Sequence, residues 1–272
     1  MPKSKAGGAR HEGAIDKSAN RALVSDSPPL VLVTRSALGT LTDKVVREGK
    51  TALLASQLYA LGDASVVADV YFVSGLKSTK DGPWLGEADK IAWLDEASGY
   101  ECIIMRASGG GHLCGYVGVP PEHPLYGFEH EAIPPNLDIE VHGGLSYSAL
   151  CQHGPSPAPG VATEARRICH VSTRRARHGA VEHATDYRVQ RDDAWWFGFE
   201  CNHVYDVVPD ERSHANRFLA AETGAVYRDE AYVHQEVINL AAQLRAIESG
   251  EPKPQRQGPP LPPIGLDPRG GN

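Results

Sequence analysis

Residues 101–119 read Glu101-Cys-Ile-Ile-Met-Arg-Ala107, then Ser108-Gly-Gly-Gly111, then His112-Leu-Cys-Gly-Tyr-Val-Gly-Val119. Two apolar runs around a glycine-rich turn are the signature of a β-hairpin. Downstream, Ala194–Cys201 (AWWFGFEC) has the aromatic density of a strand buried on at least one face. Neighbouring side chains of a strand point to opposite faces, so Trp195 and Trp196 are expected on opposite sides of a sheet, each in core packing. Upstream, the Val-rich run Ser65–Val73 ends at Ser74-Gly75 and reads as a further strand. Leu30–Thr34 and Ile139–Val141 are shorter strand candidates. Asp43–Leu61 spaces its apolar residues in a partly helical way, with Gly49 as a weak point. Trp84 and Trp93 flank Glu87, Asp89, Asp95 and Glu96, which reads as a polar surface stretch anchored by two rings.

The last element is the clearest helix. Tyr232–Glu248 sets Val233, Val237, Leu240, Ala241, Leu244 and Ile247 on one face. Asp229 stands where an N-cap belongs, and Gly250 and Pro252 stand where helices stop. The predicted class is α+β: a mostly antiparallel sheet with a C-terminal amphipathic helix packed on it, between disordered N- and C-terminal tails. Residues 1–28 hold almost no large apolar groups, and residues 250–272 are proline-rich; both are expected as tails. The globular α+β domain then spans 29–249, with 29–81 a possible N-terminal extension to a core of 82–249. No repeat of fixed period is visible.

The 272 residues are 41% hydrophobic and 22% charged, enough apolar matter for a real core. The net charge of −7 argues against a protein that wraps nucleic acid non-specifically, while leaving a local basic patch open. No apolar run approaches the ~18 residues of a membrane-spanning helix, so no membrane partner is expected. The basic N-terminus is not followed by an apolar segment, which predicts a cytoplasmic protein. Five cysteines in such a chain read as buried thiols rather than as a disulfide framework.

No GxSxG elbow, phosphate loop, HExxH helix or GxGxxG turn occurs in the chain. The chemistry-bearing residue that stands out is histidine, with twelve copies. His112, His123, His142 and His203 lie beside glycines or at strand ends, where folds present reactive side chains. In Cys201-Asn202-His203-Val204-Tyr205-Asp206, a continued strand would put Cys201 and His203 on one side. His142-Gly143-Gly144 offers a second imidazole beside an approachable backbone. His142, His203 and Asp206 are therefore candidate catalytic residues, either as an acid–base set or, with Cys201, as ligands of a divalent metal, the one cofactor the chain suggests. Glu200 or His123 would be accessory. The plainer alternative is that each imidazole tethers a backbone carbonyl. Two Cys-x-His pairs, at Cys151 and His153 and at Cys201 and His203, are a weak zinc pattern. Arg166, Arg167, Arg174, Arg175 and Arg177 form a basic island suited to phosphates or an acidic surface, and equally to a solvated loop.

Read in order, His112–Val119 (HLCGYVGV), Glu122–Gly127 (EHPLYG), His142–Ser148 (HGGLSYS), Trp195–His203 (WWFGFECNH) with Asp206, and Tyr227–Val233 (YRDEAYV) resemble an uncharacterised protein family found mostly in bacteriophages and prophage regions. The resemblance covers about residues 82–244 and leaves out 29–81 and the arginine-rich segment. Where the family pattern has Asp, this chain has Glu200. The resemblance implies a context rather than a chemistry; with the absence of catalytic signatures and the basic island, it leads to the expectation of a phage-type accessory protein in the host cytosol that binds a host or phage macromolecule. The competing expectation is a metal-dependent or acid–base hydrolase built on His142, His203 and Asp206.

Overall fold

The computed structural model describes residues 45–151, 160–170, 193–210 and 224–262. The Leu30–Thr34 strand candidate and the N-terminal tail lie outside these residues. The strands are β1 (Val45–Glu48), β2 (Thr51–Leu61), β3 (Ala64–Val73), β4 (Lys90–Leu94), β5 (Glu101–Arg106), β6 (Leu113–Val119), β7 (Tyr147–Leu150) and β8 (Trp195–Glu200). The helices are α1 (Val161–Glu164) and α2 (Glu230–Ser249). The strands form one eight-stranded sheet in the order β1-β2-β3-β4-β5-β6-β8-β7, with every neighbouring pair antiparallel. The chain is thus α+β with a dominant sheet, and residues 45–73 supply three of its strands rather than a separate appendage.

The hairpin read from residues 101–119 is present as β5 and β6. The helix read from Asp43–Leu61 is not: β1 and β2 form a hairpin whose turn holds Gly49 at φ +56°. The misleading period comes from a bulge in β2. The register shifts between Leu54 and Gln57, and Ser56 sits at φ +52° with its N–H on Asp69 Oδ1 at 2.8 Å. A bulge shifts the inward phase, so apolar residues before and after it fall out of step and imitate a helix. Ile139–Val141 is likewise not a strand. There the Gln243 amide of α2 serves the backbone, accepting from Glu140 N–H and donating to Glu140 O, both at 2.8 Å.

Helix α2 lies over β5 and β6. Asp229 caps it by accepting from the Tyr232 N–H, and Gly250 ends it at φ +67°. Its Val233, Val237, Leu240, Ala241 and Leu244 are wholly buried against Ile104, Leu113, Val117, Phe197 and Phe199. Three glycines permit this packing and its counterpart on the other face. A Cβ on Gly115 would stand 2.5 Å from the Phe199 ring and 2.6 Å from Val237. Across β6 and β8, the Tyr116 ring lies over Gly198 and the Trp196 ring over Gly118, each its register partner. Trp195 belongs to the helix-side core and Trp196 to the opposite one, as alternation requires.

The face away from α2 is covered by residues 160–170. Lys90, 1% exposed, donates from Nζ to the carbonyls of Glu164, Arg167 and Cys169 at 2.6, 2.9 and 3.0 Å. An ammonium on three carbonyls is a strong, charge-assisted anchor. Beside it, Cys151 and Cys169 are joined by a disulfide; Cys102, Cys114 and Cys201 are the buried thiols. The expectation of five free thiols is corrected for that pair.

The acidic stretch flanking Trp84 and Trp93 is a surface only in part: Glu96 is exposed and Asp95 partly so. Glu87 and Asp89 are buried on Arg106, whose Nη2 and Nε reach them at 2.8 and 3.2 Å. Tyr227 donates to Glu87 Oε2 at 2.6 Å, and Glu230 at the start of α2 accepts from the Tyr59 hydroxyl and the Ala88 N–H. Residues 251–262, placed by sequence in the proline-rich tail, make specific contacts. Lys253 pairs with Asp138 at 2.8 Å, Arg256 pairs with Glu236, and Gln257 N–H donates to Asn239 at 3.0 Å. Among the described residues no helix is long and apolar enough to cross a membrane.

Burial, with Glu87 close by, pushes the Glu230 carboxyl up to about 8. The native state therefore favours its protonated form, and that stabilisation is full below the ordinary carboxylate range and lost as pH rises toward 8. Glu230→Gln, which cannot ionise, is expected to gain stability relative to the wild type between pH 5 and 8. Urea midpoints at the two pH values check this; a constant difference would contradict it.

Candidate functional site

The Asp206 carboxylate is wholly buried at the end of the segment that follows β8. Its Oδ2 accepts from His142 Nε2 at 2.8 Å and from the His203 N–H at 3.0 Å, and its Oδ1 accepts from Arg228 Nε at 2.8 Å. Two backbone devices bring these partners in. The Asp206 N–H returns to His203 O at 2.9 Å, closing the 203–206 turn in both directions. Asp206 also forms a parallel bridge with Val226, which delivers Arg228 to the carboxylate. Burial alone would raise the Asp206 pKa. The hydrogen bonds from His142, His203 and Arg228 outweigh it and hold the group well below the usual carboxylate range.

His142 is fully buried in the turn closed by Gly144 N–H on Val141 O. Helix α2 grips it twice, through the Tyr232 hydroxyl, 2.9 Å from Nδ1, and through Glu236, which accepts the His142 N–H at 3.2 Å. Both ring nitrogens are thus engaged. His203 differs: its side chain is 35% exposed, and its Nδ1 is buried without a hydrogen-bond partner, 3.5 Å from Asp206 Oδ2. The ring lies against Gly143, where a Cβ would stand 1.9 Å from its Cε1. Gly143 also sits at φ +67°, so glycine is required there twice over. The rings of His142 and His203 meet edge to face at 5.3 Å.

The three residues singled out from sequence therefore converge, their ligand-type atoms lying within 4.8 Å of one another. Cys201 does not join them. β8 ends at Glu200, and Cys201 N–H bonds to Leu113 O while its side chain is buried in the helix-side core; the chain then turns, so His203 leaves the strand's alternation. His123 is the plain case foreseen for strand-end imidazoles: Nδ1 accepts from Leu125 N–H at 3.0 Å, and Nε2 contacts Leu244 O at 2.9 Å. The two-pair zinc pattern fails, because Cys151 is in a disulfide; His153 lies outside the described residues. Of the basic island, Arg166 is exposed, while Arg167 is buried, pairs with Glu164 at 2.6 Å and donates to Cys151 Sγ. Arg174, Arg175 and Arg177 lie outside the described residues. Sequence reading missed Arg228, Tyr232 and Glu236; the i,i+4 spacing of the last two was the available signal.

Chemically, the set is better arranged for proton transfer than for a metal. An ion between His142, His203 and Asp206 would have to displace the His142–Asp206 bond. A solvent-reaching imidazole backed by a buried carboxylate needs no such rearrangement. No family model, curated protein or solved structure matches the chain.

Because the Asp206 pKa is depressed on folding, its contribution is present above the ordinary value of about 3.9 and fades as pH falls below it. Asp206→Asn is expected to cost about 3–5 kcal/mol at pH 7, the usual penalty for breaking a buried charge network. The deficit should narrow at pH 3. Denaturant titrations of both proteins at the two pH values measure it, and a deficit independent of pH would refute this account of the carboxylate.

Proposed function

We propose that the protein is an acid–base hydrolase in which His203 transfers the proton. Asp206 orients the imidazole and stabilises its charged form, and His142 with Arg228 positions Asp206. The observation that carries this reading is the asymmetry of the two histidines on one carboxylate, His142 sealed and His203 one-third exposed. With Nδ1 turned toward Asp206, the outer nitrogen of His203 is available to take a proton from water attacking an ester-like centre. The leaving group then recovers that proton from the imidazolium.

The reading of a phage-type accessory protein that binds a macromolecule draws on less. In the basic island, Arg167 is committed to internal contacts and Arg166 alone of the described pair faces solvent.

Hydrolysis of p-nitrophenyl acetate, p-nitrophenyl phosphate and bis(p-nitrophenyl) phosphate tests the proposal across three ester classes. The wild type should turn over at least one of them. His203→Gln should lower that rate by about 10²–10⁴-fold with an unchanged circular dichroism spectrum. Equal rates in the two proteins, or no turnover of any class, would count against it.

A further inference from the structure

A second cluster stands at the same end of the sheet, on the opposite face. His112 immediately precedes β6, Cys114 is its second residue, and Glu200 is the last residue of β8 and the register partner of Cys114. Side chains at 112 and 114 share a face by alternation, and a cross-strand partner shares it by pairing. The geometry follows: a His112 ring nitrogen, Cys114 Sγ and a Glu200 oxygen all lie within 4.8 Å of one another.

What separates this cluster from an ordinary polar contact is His112. It is 5% exposed, and neither Nδ1 nor Nε2 has a hydrogen-bond partner. Among the described residues it is the one histidine with both nitrogens buried and unpartnered. A buried polar group left unsatisfied costs about 1–3 kcal/mol, so such groups call for an explanation. The contrast with His142 is direct, since there every ring nitrogen is spent on a neighbour.

We propose that His112, Cys114 and Glu200 bind a divalent transition-metal ion, zinc by the character of the donors, with a fourth position left to water or an exogenous ligand. One imidazole nitrogen, one thiolate and one carboxylate are donors zinc accepts, and three protein ligands are the complement of zinc sites that keep an open position. The surroundings fit. Asn202 Nδ2 donates to Glu200 Oε2 at 2.9 Å, the kind of outer contact that orients a ligating carboxylate. Cys114 is walled by the back-face apolar cluster, whereas Glu200 is only partly buried and offers the ion a way in. The nearby Arg106 is neutralised by Glu87 and Asp89. A Cβ on Gly110 would stand 3.2 Å from His112 Nδ1, so glycine in the turn keeps that nitrogen uncrowded. The proposal does not require His203 to act as a base.

The full chain, stripped with chelator and dialysed against zinc, should retain one ion per molecule by elemental analysis. Cobalt in its place should give tetrahedral visible bands and a near-ultraviolet thiolate-to-cobalt charge-transfer band. Cys114→Ser should abolish that band, and Glu200→Gln, at a partly exposed position, should weaken zinc retention without unfolding the protein. Asn202→Ala should lower affinity about 10–100-fold. His203→Ala should leave the metal content unchanged. If the wild type retains no zinc, if its cobalt form lacks the thiolate band, or if His203→Ala loses the ion as fully as Cys114→Ser, the assignment is overturned. None of these readouts depends on ester hydrolysis, so the two proposals fail separately.

Discussion

A single buried carboxylate sets the terms at the end of the fold where His142, His203 and Arg228 meet. Asp206 sits outside regular structure, yet it ties together the turn after Val141, the segment after β8 and the residues leading into α2. A charge removed from water is tolerable only if nearly all its lone pairs are met. That demand is what draws His142, His203 and Arg228 to one point. The same demand fixes the start of α2, because Tyr232 and Glu236 on its first two turns hold the far side of His142. Helix packing and site geometry are therefore not independent. The apolar stripe of α2 sets its height above β6, and the polar residues of its first turns set how the His142 turn meets Asp206.

Much of this was legible in the chain. The 101–119 hairpin, the tryptophan strand and α2 with its Asp229 and Gly250 caps follow from period, turn chemistry and end residues. Where the reading failed, a non-local contact had replaced a local rule. The bulge at Ser56 is held by Asp69 from another strand, so the apolar spacing of β2 lost its period of two. Glu140 satisfies its backbone through Gln243, 103 residues away, so Ile139–Val141 needs no strand partner. Glu87 and Asp89 are buried because Arg106 meets them, and carboxylates without a visible partner are ordinarily placed outside. An odd cysteine count could not say which two would pair.

The site was half legible for the same reason. Glycine next to histidine marked His142, and the end of an aromatic strand marked His203 and Asp206. Nothing in those segments pointed to Arg228 or Tyr232, whose local roles are a helix approach and a helix face. The His112 cluster hid differently. Its members are spread over two strands that meet only by long-range pairing, and Cys114 looked like any buried thiol. The two clusters differ in how their polar groups are met: hydrogen bonds fill Asp206 and His142 in one, while the other leaves a buried imidazole with neither nitrogen partnered.

The glycine hollows of β6 and β8 bear on how the sheet finds its arrangement. Within β1 to β6 only the β3–β4 connection, residues 74–89, is longer than a short turn, but β8 reaches β6 from far along the chain with no turn to align it. Sliding β8 by two positions one way would drive Tyr116 into Trp196, and the other way would set Gly118 against Gly198 with nothing to fill the gap. Ring and hollow thus act as key and keyway for a strand whose register no turn sets. Mutations there should be tolerated in matched pairs across the seam rather than singly.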